Sequence, residues 1–361
     1  MSANIVLVQR LLENEDHKQE KAYWKCPDAE LPIDAFFVVN SIVNVFSLIL
    51  NLGLLVLLFL LTGRAKLFLV HLRALVAAAV LYSFIEICNR IIPQKLFPTD
   101  TIVAPTLCHI WMSNYLSIAS FTFAVLILNF IVGNRAIQIV CRYQHSFSTS
   151  LIADLSYVAG MALVSLIVMM PQAFIVLWDG NHCGCRDINP GYGLLLSLYT
   201  EVFVRFGLTA VISVVVLTIS CYNIVQWVRT TPAEQLFDTW NTLAFSSTTK
   251  EQMEAFSQPQ GWMTATLCTV PLSAIFLVAS IYEAGHEFTC AVGLCQVTPD
   301  SPQSRAGQLL INLQLCTLPV IIVFYIPALR DLAVQVCQRL VSLIRRRCRT
   351  TPSEEEDFST P

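Results

Sequence analysis

The sequence predicts an all-α integral membrane fold: a bundle of seven transmembrane helices, N-terminus outside, with a C-terminal juxtamembrane amphipathic helix. Three observations lead there. The chain of 361 residues is 55% apolar and only 13% charged, with a mean hydropathy of +0.62, whereas a soluble domain carries about a quarter charged residues. Its apolar residues fall into seven runs, each near the roughly 20 residues that cross a hydrocarbon core. Lys and Arg gather on alternate connecting segments, as the positive-inside rule requires. The net charge of −3 implies no polyanionic partner and argues against nucleic-acid binding.

The first span runs from Ala35 to about Leu61 without a charge. The second, about Leu67 to Ile92, holds His71, Arg73, Glu86 and Arg90. The third extends from near Leu107 to Val132, and the fourth from about Leu151 to Trp178. The fifth lies between about Tyr192 and Val228, with Glu201 and Arg205 in its first half. The sixth covers Trp262 to Ile281 and the seventh Ala306 to Leu329. Turn-rich polar segments such as Asp179-Gly180-Asn181 separate them. Such runs exceed the roughly ten alternating residues of a membrane-barrel strand, and helices satisfy their own backbone groups in lipid.

Residues 1–34 form an expected extracellular segment. Its apolar stretch Ile5 to Val8 is too short for a signal-peptide core, so the first span is expected to serve as the insertion signal. With that end outside, the cytoplasmic side receives Arg64, Lys66, Arg135, Arg142, Arg229, Lys250, Arg330, Arg339 and the cluster Arg345, Arg346, Arg347 and Arg349. The other side keeps Arg90, Lys95, Arg186 and Arg305. The bundle is expected over 35–329, an interfacial helix over 330–346, and a disordered cytoplasmic tail over 347–361. In the interfacial helix Leu329, Leu332, Val336, Leu340 and Leu343 recur at steps of three and four, opposite Arg and Gln. That pattern lies on a leaflet and meets acidic lipid headgroups.

Cys26, Cys108, Cys183, Cys185, Cys290 and Cys295 fall on the outer, oxidising side. The expected disulfides are Cys108 with Cys183 or Cys185, and Cys290 with Cys295. His182-Cys183-Gly184-Cys185 lacks a second ligand pair at zinc spacing, so no metal or other cofactor is expected. Ionisable groups inside spans are functional candidates. Glu201 and Arg205, four apart on one helix face, form either an internal salt bridge or a ligand contact. Arg73 sits near the inner end of its span, where a long side chain snorkels to the interface. The chain carries no Gly-rich phosphate loop, no Gly-x-Ser-x-Gly elbow and no His-Glu-x-x-His pair. An enzyme is not expected.

Several local motifs resemble those of the rhodopsin-like G-protein-coupled receptors, and the resemblance covers roughly residues 35–346. Leu50-Asn51 is similar to the family's Gly-Asn in the first span. Asn134-Arg135-Ala136 stands where Asp-Arg-Tyr belongs, keeping only the Arg. Cys268-Thr269-Val270-Pro271 resembles Cys-Trp-x-Pro, and Leu318-Pro319-Val320-Ile321-Ile322 occupies the place of Asn-Pro-x-x-Tyr. Leu329-Arg330 resembles the Phe-Arg that opens the family's interfacial helix. Such erosion is similar to that of divergent invertebrate orphan receptors and chemoreceptors.

The resemblance implies a receptor in the plasma membrane that binds an extracellular small molecule or peptide and activates a heterotrimeric G protein, with arrestin-like proteins as further partners of a phosphorylated tail. The ligand-lining positions it implies are Tyr115, Ser117, Phe121, Glu201, Arg205, Ser273, Phe276, Gln308 and Asn312. Asn51, Asn134, Arg135, Cys268, Pro271 and Pro319 take the coupling and switch positions, with the two prolines as mid-helix bends. The departures carry consequences. Cys108 lies two residues farther from Arg135 than the family's Cys, and Met161 replaces the fourth-span Trp. Ala79 and Leu318 remove the family's sodium site, Thr269 cannot act as an indole switch, and Ser117 replaces the Asp of amine receptors, which argues against a monoamine. Arg135 has no adjacent carboxylate, so its clamp must come from elsewhere or be weak. The alternative is a small membrane transporter or channel, which would show repeats and midplane charges. An epitope tag at each terminus checks the topology: only the N-terminal tag should stain intact cells.

Overall fold

In a computed structural model of the protein, described for residues 22–26, 34–63, 66–91, 102–141, 150–180, 183–185, 191–236, 238–259, 263–298 and 301–349, all seven expected spans are helical. The long helices are α1 (Ala35–Leu60), α2 (Lys66–Ile91), α3 (Tyr115–Val140) and α4 (Leu151–Met169). They continue with α5 (Tyr192–Thr230), α6 (Thr269–Ala291), α7 (Pro302–Tyr325) and α8 (Pro327–Arg349). The end that holds residues 22–26 is called outer and the end that holds α8 inner, after the distribution of Lys and Arg.

The packing of α1 shows what solvent the fold requires. Its buried residues are Asn40, Asn44, Ser47, Asn51, Leu54 and Leu58, at steps of three and four along one face. Val38, Ile42, Phe46, Ile49 and Phe59 are exposed. A polar seam inside and an apolar face outside invert the pattern of a water-soluble helix. Asn51 Nδ2 donates to the carbonyls of Ser47 and Leu315, both at 2.8 Å, and Asn312 Nδ2 donates to Asn40 Oδ1 at 2.6 Å. Ser47 and Ser83 share a hydrogen bond of 3.1 Å. Side-chain bonds therefore tie α1 to α7 and α2, while Leu75, Leu128, Phe276, Leu315 and Leu318 fill the bundle's centre. The chain is a multi-pass membrane protein.

Several boundaries differ from expectation, each for a physical reason. The third span begins at Tyr115 and not near Leu107. Val103–Leu107 and the wide π turn Cys108–Met112 precede it, and Asn114 breaks the helix with a left-handed φ of 60°. The fourth ends as an α-helix at Met169, passes through a 3-10 stretch Met170–Phe174 that contains Pro171, and then becomes a strand, β2 (Val176–Trp178). Proline removes a backbone donor there, and the β-branched and aromatic residues beyond it favour extended chain. The sixth continues ten residues past Ile281, to Ala291, because Glu283 and Glu287 find a cationic partner. The seventh starts at Pro302, capped by the Ser301 side chain, and stops at Tyr325 before Pro327. The interfacial helix runs to Arg349, so residues 347–349 are helical rather than part of a disordered tail; residues 350–361 lie outside the described residues.

Arg73 does more than snorkel. Its Nε and Nη2 donate to the Leu58 carbonyl at 3.0 and 2.8 Å, and Nη2 reaches the Leu61 carbonyl at 3.2 Å. These are carbonyls at the end of α1, which lack helical partners and carry the negative end of the helix dipole.

The first turn of α1 is fixed by Asp34. Its Oδ1 accepts from the Phe37 backbone N–H at 2.8 Å, and its Oδ2 pairs with Arg305 of α7 at 2.8 Å. The backbone bond first, and Arg305 second, hold this carboxyl below the usual carboxylate range. A depressed folded pKa means that the stabilisation is present above the unfolded value of about 4 and is lost as pH falls through the lower folded value. Asp34→Ala should therefore lower Tm at neutral pH, with the gap to wild type closing as pH falls below the usual carboxylate range. Thermal unfolding in detergent across that range checks it.

Candidate functional site

At the outer end, β2 pairs antiparallel with β3 (Cys183–Cys185), with Trp178 opposite Cys183 and Val176 opposite Cys185. The hairpin is pinned twice. Cys108–Cys183 joins it to the turn before α3, and Cys26–Cys185 joins it to the N-terminal segment. The first resolves the expected choice for Cys108 in favour of Cys183, and the second uses a pairing the sequence had not suggested. Cys290–Cys295 is present as expected. Cys183 and Cys185 therefore offer no thiolate to a metal. The cluster of His286, Cys290 and Cys295 at the top of α6 has metal-like spacing, yet its sulfurs are likewise joined to each other.

Residues 22–26 complete the lid. The Lys25 N–H donates to the Val297 carbonyl at 2.8 Å, and the Val297 N–H donates to the Tyr23 carbonyl at 2.7 Å. Tyr23 packs edge-on against Trp24 and Tyr199, with both ring centroids 5.1 Å away. Burial, then the nearby Glu201, pushes the Tyr23 phenol far above its ordinary value, so it stays protonated.

Beneath this lid lies a cavity of about 230 Å3 between α2, α3, α6 and α7. Ser117, Phe121 and Gln308 line it, as expected. Trp24, Tyr82 and Tyr282 add aromatic walls, and Glu86, Glu283 and Glu287 add carboxylates. Arg205 and Glu201 stand behind it. Arg205 is fully buried and meets three carboxylates: Glu201 at 3.1 Å, Glu283 at 2.9 Å, and Glu287 in close contact. Gln172 Nε2 donates to Glu201 Oε2 at 2.8 Å. The expected i, i+4 salt bridge is thus one arm of a larger cluster that holds α5 to α6. Directly below Arg205 the fifth helix widens into a π segment, Phe206–Ile212, a feature often found at functional sites.

Four expected liners stand elsewhere. Tyr115 Oη donates to the Leu166 carbonyl at 3.0 Å. Ser273 Oγ donates to the Thr269 carbonyl at 2.7 Å, Phe276 lies in the central core, and Asn312 is engaged by Asn40. Sequence reasoning missed Glu283 and Glu287 because the sixth span was ended at Ile281. Their spacing of four, opposite an intramembrane Arg, was the available signal. Nothing in the sequence separates Glu86 from the other ionisable residues of its span, His71, Arg73 and Arg90.

At the inner end Arg135 is also buried. Its clamp comes from the segment between α5 and α6. Arg135 Nη2 meets Asp238 Oδ1 at 3.1 Å, and its Nε donates to Thr266 Oγ1 at 2.8 Å. The Trp240 ring lies under the guanidinium at 4.9 Å. Asp238 also accepts the Trp240 N–H at 3.0 Å and the Thr266 N–H at 2.6 Å, while Asn241 Oδ1 accepts the Ala265 N–H at 3.0 Å. Trp240 stacks on Phe68 of α2 at 3.7 Å. The strand β4 (Ala244–Phe245) pairs with β1 (Leu61–Thr62), which follows α1. Gly63 permits that approach, since a Cβ there would lie 2.9 Å from the Thr242 carbonyl oxygen. A folded segment thus closes the inner mouth over Arg135.

The other residues that the resemblance puts at switch positions fall nearby or in the core. Asn51 bridges α1 and α7 as described, Asn134 is half-buried beside Arg135, and Cys268 is buried. Pro319 lies inside α7, as expected. Pro271 does not bend the middle of an α-helix: a 3-10 turn, Ala265–Cys268, precedes α6, and Pro271 falls in the first α-helical turn, where its missing N–H costs little.

Comparison with protein-family models and with curated protein sequences finds no match for this chain. The Cys26–Cys185 bridge spans 159 residues and anchors the lid. Its removal as Cys26→Ser/Cys185→Ser should cost about 2–5 kcal/mol and release Trp24 from the cavity. Unchanged Tm and unchanged tryptophan quenching would show that the lid stands without it.

Proposed function

We propose that the chain is a cell-surface receptor of the rhodopsin-like type, acting by coupled conformational change and not by catalysis. The observation that carries this reading is the arrangement of α3. One helix places Ser117 and Phe121 in a lidded outer cavity and Arg135 under an ion-paired plug at the opposite mouth. The centre between them is packed with Leu128, Phe276, Leu315 and Leu318. A filled centre favours signal transfer over passage of a solute, which a transporter or channel requires.

On this reading the cavity takes a small extracellular ligand, and the state described is the resting one. Ligand binding favours a state in which the Asp238 segment leaves Arg135, and a heterotrimeric G protein takes its place. A ligand shifts that balance only by binding the open state more tightly. The α8 face contacts acidic lipid of the inner leaflet, and arrestin-like proteins would bind the phosphorylated tail. The expected location is the plasma membrane.

Two variants test the proposal in a cell reporter of G-protein activation. Arg135→Ala should abolish activation with surface expression intact. Asp238→Ala removes the partner of a buried charge, a change of about 3–5 kcal/mol against the closed state, and should raise basal activation severalfold. Wild-type basal and stimulated signalling in both variants would remove the receptor reading.

A further inference from the structure

Glu86 is the feature of the outer cavity that the Arg205 cluster does not explain. Its side chain is nine-tenths buried in α2, and it lines the cavity. Arg90, one turn above, acts on it electrostatically but forms no ion pair with it: its Nη1 donates to Ser41 Oγ at 3.1 Å, and its guanidinium lies 5.2 Å over the Phe37 ring. Among the described residues no cation reaches ion-pair distance of Glu86. Its near neighbour is the Ser117 hydroxyl, whose one proton is directed to the Asn114 carbonyl at 2.9 Å.

The rest of the wall adds to the negative field. Glu201, Glu283 and Glu287 share the single buried cation Arg205, and Glu283 and Glu287 also face the cavity. Lys25 and His286 lie on the rim of the same space. Even with Lys25, Arg90 and Arg205 counted, the carboxylates Glu86, Glu201, Glu283 and Glu287 are in excess. A buried carboxylate without an ion pair is costly in such surroundings unless a positive partner arrives. Around it stand Tyr82, Phe121, Tyr282 and Trp24, whose ring faces attract a cation.

We propose that the cavity binds a small organic cation, an ammonium group on a compact apolar or aromatic body, with the ammonium on Glu86. The volume of about 230 Å3 lies below the usual range for drug-sized ligands and suits such a molecule. Ser117 does not exclude an amine, because the carboxylate that Ser117 lacks is supplied from α2. The inference rests on the receptor reading only for the site's role; the binding itself is independent of it.

The test uses the purified full-length protein in detergent, without a G protein. Phenethylammonium is the probe, with phenylethanol and phenylacetate as its neutral and anionic counterparts. The ammonium should raise Tm saturably at concentrations up to about 10 mM, and its counterparts should not. Glu86→Gln should weaken that binding at least about thirtyfold, and Glu86→Asp should restore part of it. Equal or greater stabilisation by phenylethanol, no stabilisation by the ammonium, or unchanged affinity in Glu86→Gln overturns the proposal. If Glu86→Gln fails to fold, the comparison of the three probes on wild type decides. Ammonium binding without any G-protein activation would overturn the receptor reading alone, and activation without ammonium selectivity would overturn this inference alone.

Discussion

In a bilayer a polar group has no water to turn to, and the helix bundle of this protein answers that constraint. The backbone answers it by forming helices. Side chains answer it by facing inward, which is why the buried stripe of α1 reads Asn40, Asn44, Ser47 and Asn51 while phenylalanines and isoleucines face out. Contact between helices then depends less on apolar burial, since lipid accepts apolar surface, and more on hydrogen bonds such as Asn51 to Leu315 and Asn312 to Asn40.

The same constraint is most severe for full charges. Two buried arginines, Arg205 and Arg135, sit near opposite ends of the bundle, and each is a meeting point of elements remote in sequence. Arg205 draws Glu201, Glu283 and Glu287 together and so sets the packing of α5 on α6 at the outer end. Arg135 draws in Asp238, Thr266 and Trp240 and so folds the α5–α6 connection back onto the inner mouth. Charge pairs of this kind contribute little net stability compared with apolar packing, but separating one pair is costly.

The outer lid is built on a different principle. The hairpin of β2 and β3 is short, and a two-stranded hairpin alone is marginal. Disulfides to the turn before α3 and to residues 22–26 hold it in place.

Hydrophobicity accumulates along the local chain, so the sequence by itself determined the seven spans, the amphipathic α8, and the gathering of the bridged cysteines at one end. It also marked Glu201, Arg205 and Arg135 as charges that needed partners. The partners themselves depended on three-dimensional packing. Asp238 reaches Arg135 across 103 positions of sequence, and nothing local in Asn134-Arg135-Ala136 points to it. Glu283 and Glu287 looked like the end of a span because their polarity was counted without Arg205. The run ending at Trp178 was apolar enough to continue a helix, yet it pairs as a strand because Pro171 interrupts the helical ladder and Cys183 and Cys185 hold the partner strand beside it. Composition decides which segments enter the membrane; which charges meet inside it is decided only when the helices are packed, because a buried ion pair joins residues by position in space and not by distance along the chain.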